Sequence, residues 1–551
     1  METEEVFRSI SETKFHDEFL HLQDLWKTPA KTHQNILVGN DYKIAPNVSH
    51  MDNLYHFVQI AFYALLTLFT DFTLALKHPL YWLYMIFVYP IILVAYFILE
   101  TSLFFLTFLK FDSIKHTIDD KWSEYTSPDE LFDSEFFSQP ENQEIIDEGV
   151  GALNNPYYKD FEDDDYVDNH NCNLDIAQLL LFMSDLVYNR DASKVLKAKQ
   201  KLNMINFQPE KSEQILQEVV ALLNESEETI SAQTKKWKLK YTTVSELNSL
   251  GESFAGIFYS ERHNFIVVTF KGTTIDNFEK WMTEMIFQRI DGQTFFSGKS
   301  YNGYRSILYP NDLQPSPYVT IIEGIRNAVQ QIRSYREKNY SHEKKRNINV
   351  WVTGHSFGGA MATMFYARCI NSPNDLGEHC ILRDAYTFGS PSVENSEFAK
   401  TYMSALDKRD EVSSTLWRIV NDDDIMCKLP IGFYHSGSIG KYNSLDNIHI
   451  GEAIRFYQNG NKPTLIKNPL IINRDKNHYP VIKSSRPKEN MEIHVPVSLL
   501  DKKLPTFVRN NTISRYTIAM AKAREYLHEK NVGNSGRTKS GYQGEITLDY
   551  E

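Results

Sequence analysis

The chain has 551 residues, 42% hydrophobic and 23% charged. That composition belongs to a folded globular protein and excludes a disordered chain, while the length implies one large domain with appendages. The formal net charge is −13, and no basic stripe with interleaved aromatic residues stands against it, so nucleic acid is excluded as a partner class.

Residues 1–53 are polar, mixed in charge and without a signal-peptide pattern. Residues 54–110 are apolar and aromatic. Between Leu54 and Leu109 the charged residues are Asp71, Lys77 and Glu100, and His78–Leu99 is uncharged throughout. Such a run is long enough for a hydrocarbon core of ~30 Å. Pro79 and Pro90 favour bends, and Tyr81, Trp82, Tyr84, Tyr89 and Tyr96 suit interfacial depth. A single transmembrane helix with an interfacial partner, a two-helix hairpin and a hairpin confined to one leaflet all fit. The stretch is therefore expected to anchor the chain to a membrane or lipid-droplet surface. Residues 111–171 read as an acidic linker: from Asp112 to His170 there are 18 acids against 3 lysines, as in a solvated spacer. The linker contains no D-x-D-x-D-G calcium loop.

From Cys172 the pattern is that of a folded α/β domain, expected over 172–530, with a polar tail over 531–551. DIAQLLLFMSDLVY is helix-like, and FAGIFYS and NFIVVTF read as strands joined by a polar turn. The helical VTIIEGIRNAVQQIRSY precedes the strand INVWVT, and the helical GGAMATMFYARC follows it; DAYTFGS and LWRIVN are again strand-like. Alternating strands and helices imply a mostly parallel sheet. The four cysteines, Cys172, Cys369, Cys380 and Cys427, lack any CxxC spacing. Neither a disulfide framework nor a zinc site is expected, in keeping with a reducing, cytosol-facing domain.

The motif that carries chemistry is the G-x-S-x-G pentad Gly354-His355-Ser356-Phe357-Gly358. A β-branched run (Ile348, Val350, Val352, Thr353) leads in and a small-residue helix (Gly359, Ala360, Ala362) leads out, the strand–turn–helix setting that exposes a serine hydroxyl on a sharp turn. Ser356 is the candidate nucleophile, and the Phe357 N–H would form half of an oxyanion hole.

VTGHSFGGAMA resembles the elbow of the fungal-type class 3 lipases, an α/β-hydrolase family, and the resemblance covers roughly residues 240–500. Phe270-Lys271-Gly272-Thr273-Thr274 is similar to the family's F-R-G-T/S segment, which implies Thr273 as the second oxyanion-hole residue, with Lys271 in place of the usual Arg. Residues 275–290 lie where these lipases carry an amphipathic lid, implying lid roles for Trp281, Met285 and Ile286. Tyr301-Asn302-Gly303-Tyr304-Arg305 resembles a structural H-x-G-F/Y segment without its histidine. Arg418-Ile419-Val420-Asn421-Asp422-Asp423-Asp424-Ile425 with Leu429-Pro430 resembles R-x-V-N-x-x-D-x-V-P, whose register selects Asp424 as the triad acid over Asp422 and Asp423.

The base follows the acid in chain order. His449 opens His-Ile-Gly-Glu, similar to a segment whose histidine is structural in the family; His435 follows the acid too closely, and His528 lies in the polar helical AREYLHEK. His494 and His478 remain. IHVPVSLLDKKLP looks like a segment of plant oil-body lipases, which favours His494. The resemblance implies a serine hydrolase of lipid esters acting through Ser356, Asp424 and His494, with no metal and no organic cofactor. Triacylglycerol or diacylglycerol is the first expectation for substrate. A phospholipase A1 and a catalytically silent membrane scaffold are the alternatives. The expected location is the endoplasmic reticulum or a lipid droplet, with the catalytic domain in the cytosol.

Overall fold

Among the described residues nine strands build the central sheet. The β-branched and aromatic runs of the sequence become β1 (Lys240–Ser245), β2 (Ala255–Tyr259), β3 (Phe265–Phe270), β4 (Ile348–His355), β5 (Cys380–Phe388), β6 (Leu416–Asn421), β7 (Glu452–Phe456), β8 (Thr464–Ile466) and β9 (Asp549–Tyr550). In this computed structural model the described residues are Val58, Phe62, Leu76, 79–108, 134–154, 171–205, 207–247, 254–272, 289–291, 299–301, 308–309, 316–340, 346–393, 395–407, 415–429, 447–468, 481–484, 495, 506–533 and 544–550. The strands lie in the order β9-β8-β7-β6-β5-β4-β3-β2-β1. From β3 to β7 every pairing is parallel, while β1–β2, β2–β3 and β7–β8 are antiparallel. The parallel run agrees with the alternation of strand and helix read from the sequence.

Central parallel strands are covered on both faces and are therefore apolar on both. Along β4, Ile348, Val350 and Val352 face α5 (Pro317–Asn339), α6 (Phe357–Asn371) and α7 (Ser396–Asp407) in one core. Trp351 faces the other core, with α1 (Pro140–Asn154), α2 (Leu174–Leu186) and α8 (Ile513–Gly533). The period of two along a strand produces this split. Between α2 and β1 a helical hairpin, α3 (Ala192–Met204) and α4 (Ser212–Ser226), carries its own small cluster of Val195, Ala198, Ile215, Val219 and Leu223. Its base is closed by the Asp191 N–H donating to the Ser226 carbonyl (3.0 Å).

A second, three-stranded sheet joins Asn171–Asn173, Val481–Ser484 and Gly544–Thr547. It is tied to α2 and α8 by Arg524, only 1% exposed. The Arg524 guanidinium lies 2.7 Å from the Asp175 carboxylate and donates to Ser484 Oγ (2.9 Å) and Gln178 Oε1 (2.8 Å). An arginine can be held this far from water because its charge is paired and its N–H groups are engaged.

Three expectations need correction. First, among the described residues no helix is long and apolar enough to cross a membrane. The expected membrane-spanning region before the hydrolase domain, and the membrane, endoplasmic reticulum and lipid-droplet placement that rested on it, are overturned by that finding. The uncharged run is divided into an α-helix over Pro79–Leu83, a π-helical turn over Tyr84–Val88 and an α-helix over Tyr89–Phe108. Pro90 has no N–H to donate, and its ring crowds the preceding turn, which is where the π-helical turn lies. The last piece carries Glu100 and turns Ser102 Oγ back onto the Ile98 carbonyl (2.7 Å).

Second, the stretch 111–171 is more than a spacer. Ser134–Ser138 and α1 are helices within it, with Phe136, Phe137, Ile146 and Leu153 no more than 2% exposed, and the Leu153 carbonyl accepts from Trp351 Nε1 (3.3 Å). Third, the tail expected over 531–551 contributes strand Gly544–Thr547 and β9, with Leu548 fully buried between them.

Candidate active site

Ser356 stands between the end of β4 and the first residue of α6, at φ 53° and ψ −123°. This backbone conformation is rare and strained for a residue with a side chain. Two glycines make it attainable: a Cβ on Gly354 would collide with the Gly358 carbonyl, and one on Gly358 with the Phe270 carbonyl. Strand, turn and helix thus approach one another as closely as backbones can. The Ser356 N–H donates to the Phe388 carbonyl (2.8 Å), fastening the turn to the end of β5. The Ser356 side chain is partly exposed, and Phe357, the first residue of α6, is buried.

The oxyanion candidate segment begins beside this turn. Gly272 follows β3, and a side chain there would strike the Tyr188 hydroxyl and the His355 carbonyl. The Lys271 ammonium is buried over the rings of Tyr188 and Phe254, 5.8 Å from each. Thr273 itself, the lid candidates Trp281, Met285 and Ile286, and both candidate bases, His494 and His478, lie outside the described residues.

Asp424 follows β6, two strands from Ser356. With strands ~4.8 Å apart the two chain ends stand about 10 Å from one another, a separation that one imidazole hydrogen-bonded at both ring nitrogens can bridge. Of the three consecutive acids, Asp424 alone is fully buried. Asp423 is exposed and paired with Lys428 (2.9 Å), which holds its carboxyl below the usual range. Asp422, at φ 44°, accepts from the Gln458 N–H (3.4 Å). The Asp424 carboxylate accepts from Tyr516 Oη (2.6 Å), Asn511 Nδ2 (2.9 Å) and the Met426 N–H (2.9 Å), with Cys427 Sγ 3.7 Å away. Burial raises its pKa, and those donors oppose the rise. Gly389, at φ +61°, leaves the necessary space, since a Cβ there would meet Asn511 Nδ2 and lie 2.9 Å from Asp424 Oδ2.

His355, the second residue of the pentad, is a strut. Its Nε2 meets the Asn511 carbonyl at 2.6 Å and its Nδ1 the Tyr188 hydroxyl at 3.1 Å. A carbonyl only accepts, so the partners assign the proton to Nε2 and make Nδ1 the acceptor of the tyrosine proton. Burial lowers its pKa to about 4, against a smaller opposing effect of the Asn511 carbonyl. His449 Nε2 meets the Cys427 carbonyl at 2.9 Å, and burial together with Arg418 pushes its pKa well down. Tyr516, Asn511, Gly389 and Tyr188 were not singled out in the sequence, because each contacts the site across a long separation and stands in no local motif.

Residues 267–433 match the family model described as lipase (class 3). A lipase of Caenorhabditis elegans is 30% identical over 105 residues, 19% of this chain and 27% of the relative. Phospholipase A1-II 1 of Oryza sativa subsp. indica is 34% identical over 100 residues, 18% of this chain and 22% of the relative. The chain thus spans about a quarter of the length of the curated relatives it matches. Among solved structures, the native Rhizomucor miehei lipase propeptide complex is 20% identical with a TM-score of 0.28, covering 41% of this chain and 58% of that one. The Rhizopus microsporus var. chinensis lipase is 22% identical with a TM-score of 0.28, covering 41% and 64%. The structural likenesses are too slight to add to the fold described above. The matched segment runs from β3 through the Ser356 turn to the Asp424 loop, and over it the chain is similar to the class 3 lipases, with the nematode lipase and the rice phospholipase among its relatives.

Proposed function

We propose that this protein is a serine hydrolase that cleaves carboxylic esters of lipids. The observation that carries the reading is the strained backbone of Ser356, partly exposed at the carboxyl edge of a parallel sheet. In this reading the base removes the Ser356 proton as Oγ attacks the ester carbonyl, and Asp424 orients the base and stabilises its charged form. His494 is the proposed base, with His478 the alternative. The Phe357 N–H and Thr273 receive the negative charge on the carbonyl oxygen. The protonated base then gives its proton to the departing alcohol, and water releases the acid from Ser356 by the same steps. Trp281, Met285 and Ile286 are proposed to cover the site as a lid. None of these steps calls on a metal or organic cofactor.

Triacylglycerol or diacylglycerol is the proposed substrate. A phospholipase A1 activity is the second reading, favoured by the similarity to the rice protein of that name. The test is labelling with a fluorophosphonate probe, followed by assay on a panel of neutral glycerides and phospholipids. Labelling lost in Ser356→Ala, with release of fatty acid from glycerides, supports the first reading; release from the sn-1 position of phospholipids alone selects the second. A wild-type protein that takes no label is a silent scaffold, and the proposal fails.

A further inference from the structure

The two oxygens of Asp424 are treated differently. Oδ2 accepts from Tyr516 Oη at 2.6 Å and from Asn511 Nδ2 at 2.9 Å, and Cys427 Sγ stands 3.7 Å from it. Oδ1 accepts from the Met426 N–H at 2.9 Å. A carboxylate oxygen offers two lone-pair directions, so Oδ2 is filled and Oδ1 keeps one. The Tyr516 ring is also held against the elbow: it lies edge-on to His355 (centroids 6.1 Å, 76°) and to Phe388 (6.2 Å, 80°). Tyr516 therefore touches both the residue before the nucleophile and the acid, and its hydroxyl is wholly enclosed.

We propose that Tyr516 is a positioning residue for Asp424, pinning one carboxylate oxygen so that the other is presented to the base. This rests on Ser356 and Asp424 acting as read above. Tyr516 is placed by α8, and α8 is seated by Arg524 eight residues further on, about 12 Å along the helix axis. A phenol donating to a carboxylate is a strong, charge-assisted hydrogen bond, which fixes the acid's rotamer and keeps it ionised despite burial. The titratable groups around the acid are Tyr516 from α8, His355 from β4, Cys427 from the acid's own loop, Arg418 from β6 and His449 before β7. Asp422 and Asp423 adjoin it in the chain.

The test is kinetic, on a water-soluble p-nitrophenyl ester, with the full-length chain. Tyr516→Phe keeps the ring and removes the donor. It should lower kcat about 10–100-fold, the worth of one hydrogen bond to a charged group, with KM within about twofold. Loss of the donor leaves more charge on the carboxylate and makes the base facing it more basic, so the acid limb of the kcat/KM profile should move to higher pH. Asn511→Ala removes the second donor to the same oxygen without touching the ring and should shift the same limb, which keeps the test decisive if Tyr516→Phe folds poorly. Unchanged kcat in both variants overturns the proposal, as does a loss of activity with the acid limb unmoved. Ser356→Ala and Asp424→Asn serve as controls: if either retains wild-type activity, the reading of the site fails rather than the role of Tyr516.

Discussion

At Ser356 a side chain occupies backbone space that glycine fills without strain. Ser356→Gly should therefore raise stability by about 1 kcal/mol, since strain of this kind costs ~1–3 kcal/mol and glycine returns part of the gain through unfolded-state entropy, while fluorophosphonate labelling disappears. Urea unfolding beside probe labelling checks both halves; a less stable glycine variant would show that the turn is not under strain. At the acid, Asp424→Asn should reduce turnover by about 10³-fold or more, whereas Asp423→Asn should change it less than about twofold, since Asp423 faces solvent and Lys428. His355 provides a pH-dependent term. Its folded pKa, about 4, lies below the unfolded value near 6.5, so between those limits the unfolded chain binds more protons. Stability is full above pH 6.5 and falls as pH drops toward 4, by on the order of 3 kcal/mol. Unfolding curves at pH 7.5 and 4.5 should show this loss in the wild type and a smaller one in His355→Gln.

Elements differ in how far the sequence announces them. The strands beside the elbow were legible because β-branched runs and the glycine pentad are local signals. Helix α1 was hidden by composition: Glu141 and Asp147 face water, yet Ile146, Gly149, Val150 and Leu153 repeat at helical spacing and form the buried face. Phe137, just before α1, packs edge-on to Phe182 and Trp237 (5.6 and 5.1 Å). Phe137→Ala should cost ~3–5 kcal/mol by denaturant unfolding, although it lies in what reads as linker. The α3–α4 hairpin is the opposite case. Its cluster is separate from the two cores, and its ends already meet through Asp191 and Ser226. Replacing residues 192–225 with a short Gly-Ser link should leave a folded protein that still takes the serine probe; an unlabelled, aggregated product would mean that the hairpin supports the body.

For the molecule as a whole, contacts far apart in sequence complete what the motifs begin. Asn511 and Tyr516 reach Asp424 across 87 and 92 positions, and no local pattern encodes such pairings; the register N-x-x-D points to Asp424 but not to what holds it. Arg524 joins α8 to α2 and the small sheet. Arg524→Met should destabilise by ~3–5 kcal/mol, because it strands the buried Asp175 carboxylate, and should lower turnover through the displaced helix. The placement of α8 also bears on the order in which the protein comes into being. The ribosome delivers the Ser356 elbow 160 residues before Tyr516, and the strands that close both sheets, Gly544–Thr547 and Asp549–Tyr550, come later still. A nascent chain therefore carries its Ser356 segment long before Asp424 can meet Asn511 and Tyr516.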